Sequence, residues 1–191
     1  KYKSKPILEY IVENLIRNKI KKIYLSVNYK KEKIISYIKK KKFKCDISLI
    51  KEKKFLGTAG SLFFIKKEKI DDLFVINGDM ITNLNISNLF KYHKDNNLDL
   101  TAVTKIVKFQ IPYGVVKTKN IYLKSLEEKP TFVGSVLIGA YILNRKCVKL
   151  LKEKKLDMTE LIDICIRKRF KIGYYPTYEK YLHITFVKDL K

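Results

Sequence analysis

Apolar residues recur along this chain with two different periods, and the two periods alternate from the N-terminus onward. Residues 7–18 place Ile, Leu and Val at helical spacing, and residues 22–28 predict a strand. A second helix is predicted around residues 34–38, and a second strand over residues 45–50, where apolar and polar side chains alternate. This order of elements predicts an α/β fold with a mainly parallel sheet and helices on its faces.

The remainder of the chain contains more predicted strands than helices. Asp157 and Glu160 have the spacing of a capping box at the start of the last helix. His93 falls on a lysine-rich helix face, so we expect it at the surface. Helices are predicted after a cap at Asn85 or Ser87 and over residues 146–153 and 158–169, and strands over residues 98–107, 112–116, 121–126, 136–143, 172–175 and 181–184.

A short apolar run ends abruptly in Asn77-Gly78-Asp79, within residues 74–81. An uninterrupted apolar run of this length predicts a strand covered on both faces, and Asn-Gly is typical of the turn that ends it. Ligands of open α/β sheets lie beyond the carboxyl ends of the strands, so Asp79 is a candidate to hold a metal or a polar ligand. The alternative is a turn aspartate that caps the next element.

Two further segments are candidate sites. Gly57 and Gly60 lie in a turn between a strand and a helix, where they allow a ligand to approach the backbone, and the helix N-terminus that follows offers free N–H groups. A glycine turn without a ligand is an equally open interpretation. Glu128 and Lys129 end a predicted strand before Pro130, either as part of the rim or as contacts to a polar ligand.

Composition narrows the possible functions. Hydrophobic residues make up 46% of the 191 residues and aromatic residues 12%, which predicts a folded domain; without a linker or repeat, we expect one domain over residues 1–191. The net charge is +23, but only four of the 42 basic residues are Arg, and the densest run, at residues 39–42, follows a predicted helix. Dispersed Lys does not favour specific nucleic-acid recognition, although a basic field attracts small anionic substrates.

Cysteine usage and apolar run lengths predict a cytoplasmic location. Cys45, Cys147 and Cys165 have no metal-ligand spacing and are odd in number, which is typical of reduced thiols. No apolar run is long enough to span a membrane, and the first residues lack the apolar core of a signal peptide.

The order and spacing of six short motifs resemble those of the sugar-nucleotide pyrophosphorylases, which join a sugar 1-phosphate to a nucleoside triphosphate and release pyrophosphate. The resemblance implies a Rossmann-like three-layer α/β/α fold with a mixed, mainly parallel central sheet, of the GT-A-like nucleotidyltransferase type. The motifs are Lys5-Pro6-Ile7-Leu8, Leu56-Gly57-Thr58-Ala59-Gly60, Asn77-Gly78-Asp79, Tyr113-Gly114-Val115-Val116, Glu127-Glu128-Lys129-Pro130 and Gly139-Ala140-Tyr141.

The resemblance also implies a role for individual residues. Asp79 would hold Mg²⁺ against the α-phosphate, since a hard cation takes carboxylate and phosphate oxygens. The Leu-Gly-Thr-Ala-Gly turn favours guanylyl transfer, for example to mannose 1-phosphate, and such enzymes usually serve polysaccharide biosynthesis. The implied nucleotide contacts are Leu56, Gly57, Thr58, Gly60, Asn77 and Gly78, and the implied sugar-phosphate contacts are Gly114, Glu128 and Lys129.

Three departures from the family pattern bear on activity. The family's first strand and glycine-rich triphosphate loop have no counterpart, because Lys1 lies where that loop should end, and we expect an N-terminally truncated domain with its first strand missing. His183 stands at the position of the second metal carboxylate, and nitrogen is a poor ligand for Mg²⁺. Leu137 replaces an Asn that contacts the sugar.

These departures leave alternatives open. The chain could be a catalytically impaired relative that binds a nucleotide or sugar phosphate or acts as a regulatory subunit. A basic nucleic-acid binder is the third hypothesis, and it predicts binding that weakens steeply with salt. Self-association into a homo-oligomer also stays open at this stage.

Overall fold

Helices and strands alternate through the first half of the chain, as their periods predict. Tyr2 and residues 5–183 are described by a computed structural model. The helices are α1 (Ile7–Arg17), α2 (Lys31–Lys41), α3 (Gly57–Gly60), α4 (Ile86–Asp95), α5 (Arg145–Lys149) and α6 (Met158–Arg167), with a 3-10 helix at Ser61–Ile65. The strands are β1 (Lys22–Val27), β2 (Asp46–Lys51), β3 (Asp72–Ile76), β4 (Met80–Thr82), β5 (Leu100–Gln110), β6 (Val115–Lys119), β7 (Tyr122–Glu127), β8 (Thr131–Asn144), β9 (Ile172–Pro176) and β10 (Tyr181–His183).

The central sheet has four strands in the order β3-β8-β5-β9. β5 and β9 are parallel, whereas β8 runs antiparallel to both of its neighbours and makes the sheet mixed. β1 and β2 form a separate parallel pair, β4 pairs with β10, and β6 and β7 form an antiparallel hairpin. The predicted α/β class, a mixed sheet flanked by helices, is confirmed.

Both faces of the central strands are buried, which is why their sequences are continuous apolar runs. Leu143 packs on the face covered by α5, α6 and the 3-10 helix, and its neighbour Ile142 packs on the opposite face with Leu89 of α4. Alternate residues of one strand therefore serve two different hydrophobic clusters. α1 completes the second layer through a cluster that includes Val12 and Leu15.

Local capping signals agree with the structure. The Asn85 side chain accepts a hydrogen bond from the Asn88 N–H at the start of α4, and Asp157 and Glu160 form the predicted capping box of α6. β8 begins at Thr131, five residues before its predicted start at residue 136. The sequence did not reveal this first half because it is exposed and has no alternation of buried and exposed residues; it is held by pairing with the exposed end of β5. Ile184, the predicted end of the last strand, lies outside the described residues.

The prediction that His93 lies at the surface is wrong. Its side chain is 2% exposed, because α4 turns the His93 and Leu89 face towards the sheet. A hydrogen bond of 2.7 Å joins His93 Nδ1 to Thr101 Oγ1, and Nε2 lies 3.5 Å from Asp72 Oδ1. The four-residue spacing from Leu89 was the signal in the sequence that could have placed His93 inside.

The three cysteines are free thiols. Cys147 and Cys165 lie in the same buried cluster, although their separation in sequence gave no sign of it. The hydrogen bond with Cys165 and burial raise the pKa of Cys147. Within the part of the chain that the structure describes, no helix is long and apolar enough to cross a membrane.

Candidate functional site

A cavity of about 1170 Å³ runs along β1 and β3 and reaches the residues that follow them. β3 leads into the Asn77-Gly78-Asp79 turn, and Phe55, Gly57 and Thr58 at the start of α3 line the same cavity. The structure therefore brings together two of the segments that the sequence singled out. The polar or glycine positions lining this end are Ser26, Glu52, Gly57, Thr58, Asn77, Gly78 and Asp79.

Asp79 is placed between β3 and β4 by the turn at Asn77-Gly78. β10 pairs with β4, with His183 opposite Met80, and this register brings His183 Nε2 to 3.2 Å from Asp79 Oδ2. The other oxygen, Asp79 Oδ1, is shielded from solvent and has no hydrogen-bond partner within the described part of the chain. The sequence thus identified two residues that do meet in space.

The unpaired Asp79 oxygen fits a hard divalent cation, which seeks carboxylate oxygen. The His183 side chain offers no oxygen ligand, and its Nε2 contacts the other oxygen, Oδ2, of the same Asp79 carboxylate. Among residues 5–183, no group of three or more His, Cys, Asp and Glu side chains is arranged to hold a metal. Within the described residues, a cation at this position would therefore have one carboxylate ligand.

Gly139 was not predicted as a site residue, but it determines where Asn77 lies. Its carbonyl accepts the Asn77 N–H at 2.9 Å, and its φ of +82° favours glycine. A Cβ at Gly139 would stand 2.6 Å from Asn77 Nδ2. The signal in the sequence was a single glycine interrupting an otherwise apolar strand.

The turn at α3 is held from behind by the segment that precedes α6. The Thr58 N–H donates to Asp157 Oδ1 at 3.0 Å, and the Ala59 and Gly60 N–H groups both donate to the Leu156 carbonyl at 3.0 Å. The expectation of free N–H groups at this helix start is therefore wrong for these three residues. The turn can present a flat glycine backbone to a ligand, but it is not a cradle of free donors for phosphate.

Glu52 is a buried carboxylate at this site that the sequence interpretation missed. Its Oε2 accepts the Leu56 N–H at 3.0 Å, and its Oε1 accepts the Ser26 hydroxyl at 2.5 Å. Glu52 thereby connects β1 to the turn before α3. The Leu56 residue is only 2% exposed and belongs to the core.

The candidate sugar-phosphate residues lie elsewhere, around the β6–β7 hairpin. A Cβ at Gly114 would stand 3.1 Å from Glu128 Oε2, and Lys129 Nζ lies 3.9 Å from Glu128 Oε1. These three residues therefore form one group, but none of them lines the cavity with Asp79. Leu137 is 42% exposed on β8 and presents an apolar surface where the family pattern has an amide.

Comparison with known proteins agrees with the motif resemblance. The sequence profile of the nucleotidyl transferase family matches residues 1–172. A mannose-1-phosphate guanyltransferase of Yarrowia lipolytica is 35% identical over 157 residues, covering 78% of this chain and 43% of that protein. A putative mannose-1-phosphate guanyltransferase of Sulfolobus acidocaldarius is 30% identical, covering 73% of this chain and 39% of that protein. The chain thus spans less than half the length of these relatives.

Solved structures show the same fold. HddC from Yersinia pseudotuberculosis superposes with a TM-score of 0.73 at 24% identity, covering 95% of this chain and 81% of that one. A putative glucose-1-phosphate thymidylyltransferase from Bacillus anthracis superposes with a TM-score of 0.73 at 20% identity, covering 97% and 79%. The predicted GT-A-like architecture is confirmed by these neighbours.

Proposed function

The chain belongs to the nucleotidyl transferase family, and from this we propose that it transfers a nucleotidyl group from a nucleoside triphosphate to a sugar 1-phosphate. A sugar-phosphate oxygen bonds to the α-phosphorus, the bond from that phosphorus to the β-phosphate oxygen breaks, and pyrophosphate leaves. Catalysis of such a transfer consists mainly of positioning and charge neutralisation. The observation that carries the proposal is the oxygen Oδ1 of Asp79, a cavity-lining residue, which has no hydrogen-bond partner among the described residues.

We propose GTP and mannose 1-phosphate as the first substrates to test. The motivation is the sequence similarity to proteins named mannose-1-phosphate guanyltransferases, together with the turn at residues 56–60. The product, a nucleotide sugar, is a precursor for polysaccharide synthesis, and a cytoplasmic location suits that role.

In this proposal, different cavity residues contact different parts of the nucleotide. Asp79 would hold Mg²⁺ through Oδ1, and the ion would supply charge neutralisation at the α-phosphate. His183 keeps the Asp79 carboxylate oriented by its contact with Oδ2. Gly57, Thr58 and Gly60 lie along the base, with Leu56 shaping their turn from the core. Asn77 and Gly78 contact the nucleotide beside Asp79.

The sugar 1-phosphate is proposed to bind on the hairpin side of the molecule. Glu128 accepts hydrogen bonds from sugar hydroxyls, Gly114 leaves room for the ring, and Lys129 neutralises the phosphate. Their mutual proximity supports one shared role. We propose that residues 1–191 act as a single nucleotidyltransferase-like domain.

The test is the formation of GDP-mannose and pyrophosphate from GTP, mannose 1-phosphate and Mg²⁺, with UTP, CTP and dTTP as competing nucleotides. The Asp79→Asn variant should lower the rate about 100-fold, since it removes the charge that holds the cation. Its thermal unfolding should match the unsubstituted chain. Equal rates for the two proteins would contradict the assigned role of Asp79.

A second candidate function is a binding or regulatory subunit with little catalysis of its own. The observation that favours it is His183, whose contact with Asp79 takes one oxygen of the only cavity carboxylate proposed to hold metal. Nucleotide binding without product formation, unchanged by His183→Asp, would favour this candidate. A gain in rate from His183→Asp would favour the enzyme.

A further inference from the structure

A second pocket lies at the opposite end of β3 from Asp79. Its volume is about 540 Å³, and it forms where β3 begins, α4 ends, and β5 and β9 are about to begin. The five residues of β3 span about 17 Å, so this pocket is well separated from the candidate nucleotide site. Of the residues that line it, only Leu98 is apolar. The pocket therefore suits a small, strongly polar ligand.

His93 is the buried polar residue of this pocket. Its Nδ1 lies 2.7 Å from the Thr101 hydroxyl, which has no other hydrogen-bond partner among the described residues and therefore donates to Nδ1. The hydrogen of the neutral ring is then on Nε2, the nitrogen that faces Asp72 of the pocket lining. This Nε2 is shielded from solvent and has no hydrogen-bond partner in the described part of the chain, with Asp72 Oδ1 at 3.5 Å.

The two carboxylates of the pocket already accept hydrogen bonds from the protein. Asp99 Oδ1 accepts from Lys146 Nζ, and Asp99 Oδ2 accepts the Lys171 N–H, both at 3.0 Å. Asp72 Oδ1 accepts from Asn144 Nδ2 at 3.3 Å. The described residues contain no group of three or more His, Cys, Asp and Glu side chains arranged to hold a metal. The carboxylates thus do not indicate a cation as the ligand of this pocket.

The pocket has donors for which the protein provides no acceptor. The Nζ groups of Lys94 and Lys171 form no hydrogen bond or ion pair with any described residue, and both residues are exposed where they line the pocket. The Nε2–H of His93 is a third such donor. The three lysines of the lining also outnumber its two aspartates. A matching ligand must bring negative charge and several acceptor oxygens.

We propose that this pocket binds a small phosphorylated ligand, whose phosphate oxygens accept hydrogen bonds from Lys94, Lys171 and the Nε2–H of His93. Hydrogen bonds from ammonium groups to phosphate are charge-assisted, and one phosphate has enough oxygens for all three donors. The Asp72 side chain turns away from Nε2 as the phosphate enters, because the two anions repel each other. The ligand is either free orthophosphate or a phosphate monoester, which share this chemistry.

The test titrates the 191-residue chain with orthophosphate and, separately, with glycerol 3-phosphate. The solution contains EDTA and a constant salt concentration of about 0.15 M, which screens long-range attraction to the net charge. Ring ¹⁵N NMR spectra report on the two histidines of the chain, His93 and His183. The set of signals that is lost in His93→Gln assigns the pocket residue.

Two double variants separate the pocket from the general charge of the chain. Lys94→Gln/Lys171→Gln removes the two ammonium groups that lack partners. The matched control, Lys39→Gln/Lys40→Gln, removes the same charge from exposed positions on α2 that do not line the pocket. Calorimetry measures phosphate affinity in each, and urea unfolding checks that both are folded.

Both ligands should shift the His93 Nε2 signal with saturation near about 1 mM, and the signals of His183 should not move. Affinity should fall about tenfold or more in Lys94→Gln/Lys171→Gln and less than about twofold in the control. Tighter binding of glycerol 3-phosphate would identify an ester as the ligand, and tighter binding of orthophosphate the free anion.

Three results would overturn the proposal. Equal losses of affinity in the two double variants would show attraction by net charge alone. A response confined to His183 would place the phosphate at the candidate nucleotide site. A His93 signal that does not saturate would show that the pocket has no specific phosphate site. The readouts involve no nucleotide, so their failure is separate from any failure of the proposed transferase activity.

Discussion

His93 is the residue whose environment differs most from its sequence context. It is enclosed between α4 and the central sheet, 2% exposed, with Thr101 on one ring nitrogen and Asp72 near the other. Burial lowers the pKa of His93, and it outweighs the opposite effects of Asp72 and Asp99. The neutral imidazole is therefore the form that the fold accommodates.

The resulting pH dependence has a definite sign. Since the pKa of His93 is lower in the folded state than its ordinary value of 6.5, the unfolded chain binds the proton more readily. We expect the urea midpoint to fall as the pH drops below about 6.5. In His93→Gln, which keeps a polar group for Thr101, this part of the pH dependence should disappear. The same slope in both proteins between neutral pH and pH 5 would contradict the assignment.

A second residue-scale prediction concerns Glu9, where α1 meets α2. Its carboxylate contacts Lys41 Nζ at 2.7 Å and accepts a hydrogen bond from the Tyr37 hydroxyl. The Lys41 contact, followed by the Tyr37 bond, lowers the pKa of Glu9 from 4.5 to about 2. A depressed carboxylate pKa stabilises the fold above the unfolded value, and this contribution is lost as the pH falls towards 2. The Glu9→Gln variant should have a lower free energy of unfolding at neutral pH, and this free energy should fall less steeply as the pH is lowered, as measured by urea unfolding. The same pH dependence in both proteins would exclude this role of Glu9.

At the scale of the element, the turn at α3 depends on one glycine for a steric reason. Gly57 has φ of +74°, and a Cβ there would meet the Leu156 carbonyl oxygen at 2.6 Å and Asp157 Oδ1 at 2.5 Å. The turn is thus pressed against the loop before α6, which also takes its N–H groups. Sequence spacing alone could not show that two segments about 100 residues apart form one structural unit.

This packing leads to a matched pair of substitutions. Gly57→Ala should lower the free energy of unfolding by about 1–3 kcal/mol, through strain and contact with the carbonyl. Gly78→Ala should change it by less than about 0.5 kcal/mol, because nothing lies within 4 Å of the added Cβ. Urea unfolding of both variants measures the difference. Similar losses in the two proteins would contradict the structure of the turn.

At the scale of the whole molecule, the chain carries a net charge of +23 and has a site proposed to bind a triphosphate. Such a field raises the encounter rate with an anionic substrate and is screened by salt. If the proposed transferase activity holds, KM for the nucleoside triphosphate should rise several-fold between about 50 mM and about 500 mM salt, where the Debye length becomes shorter. The value of kcat should change less. A KM that does not depend on salt would show that the net charge of the protein does not contribute to binding of the nucleotide.

Much of the architecture could be predicted from the sequence, because the periods of apolar residues and the capping signals are local. The runs that became β1, β3 and β9, the cap at Asn85 and the turn at Asn77-Gly78-Asp79 all depend on residues close together in the chain. His93 was wrongly predicted at the surface because its burial depends on how α4 packs against β5. The lysines next to it in the sequence gave no indication of that contact.

The sequence by itself determined the α/β class, the family and the candidate role of Asp79, since each rests on local patterns and ordered motifs. Only the tertiary structure decided what Asp79 meets: the pairing of β10 with β4 brings His183 to one of its oxygens, and the other has no hydrogen-bond partner among the residues that the structure describes. Tertiary structure also decided that β3 pairs with β8, because strand neighbours depend on packing between segments far apart in sequence.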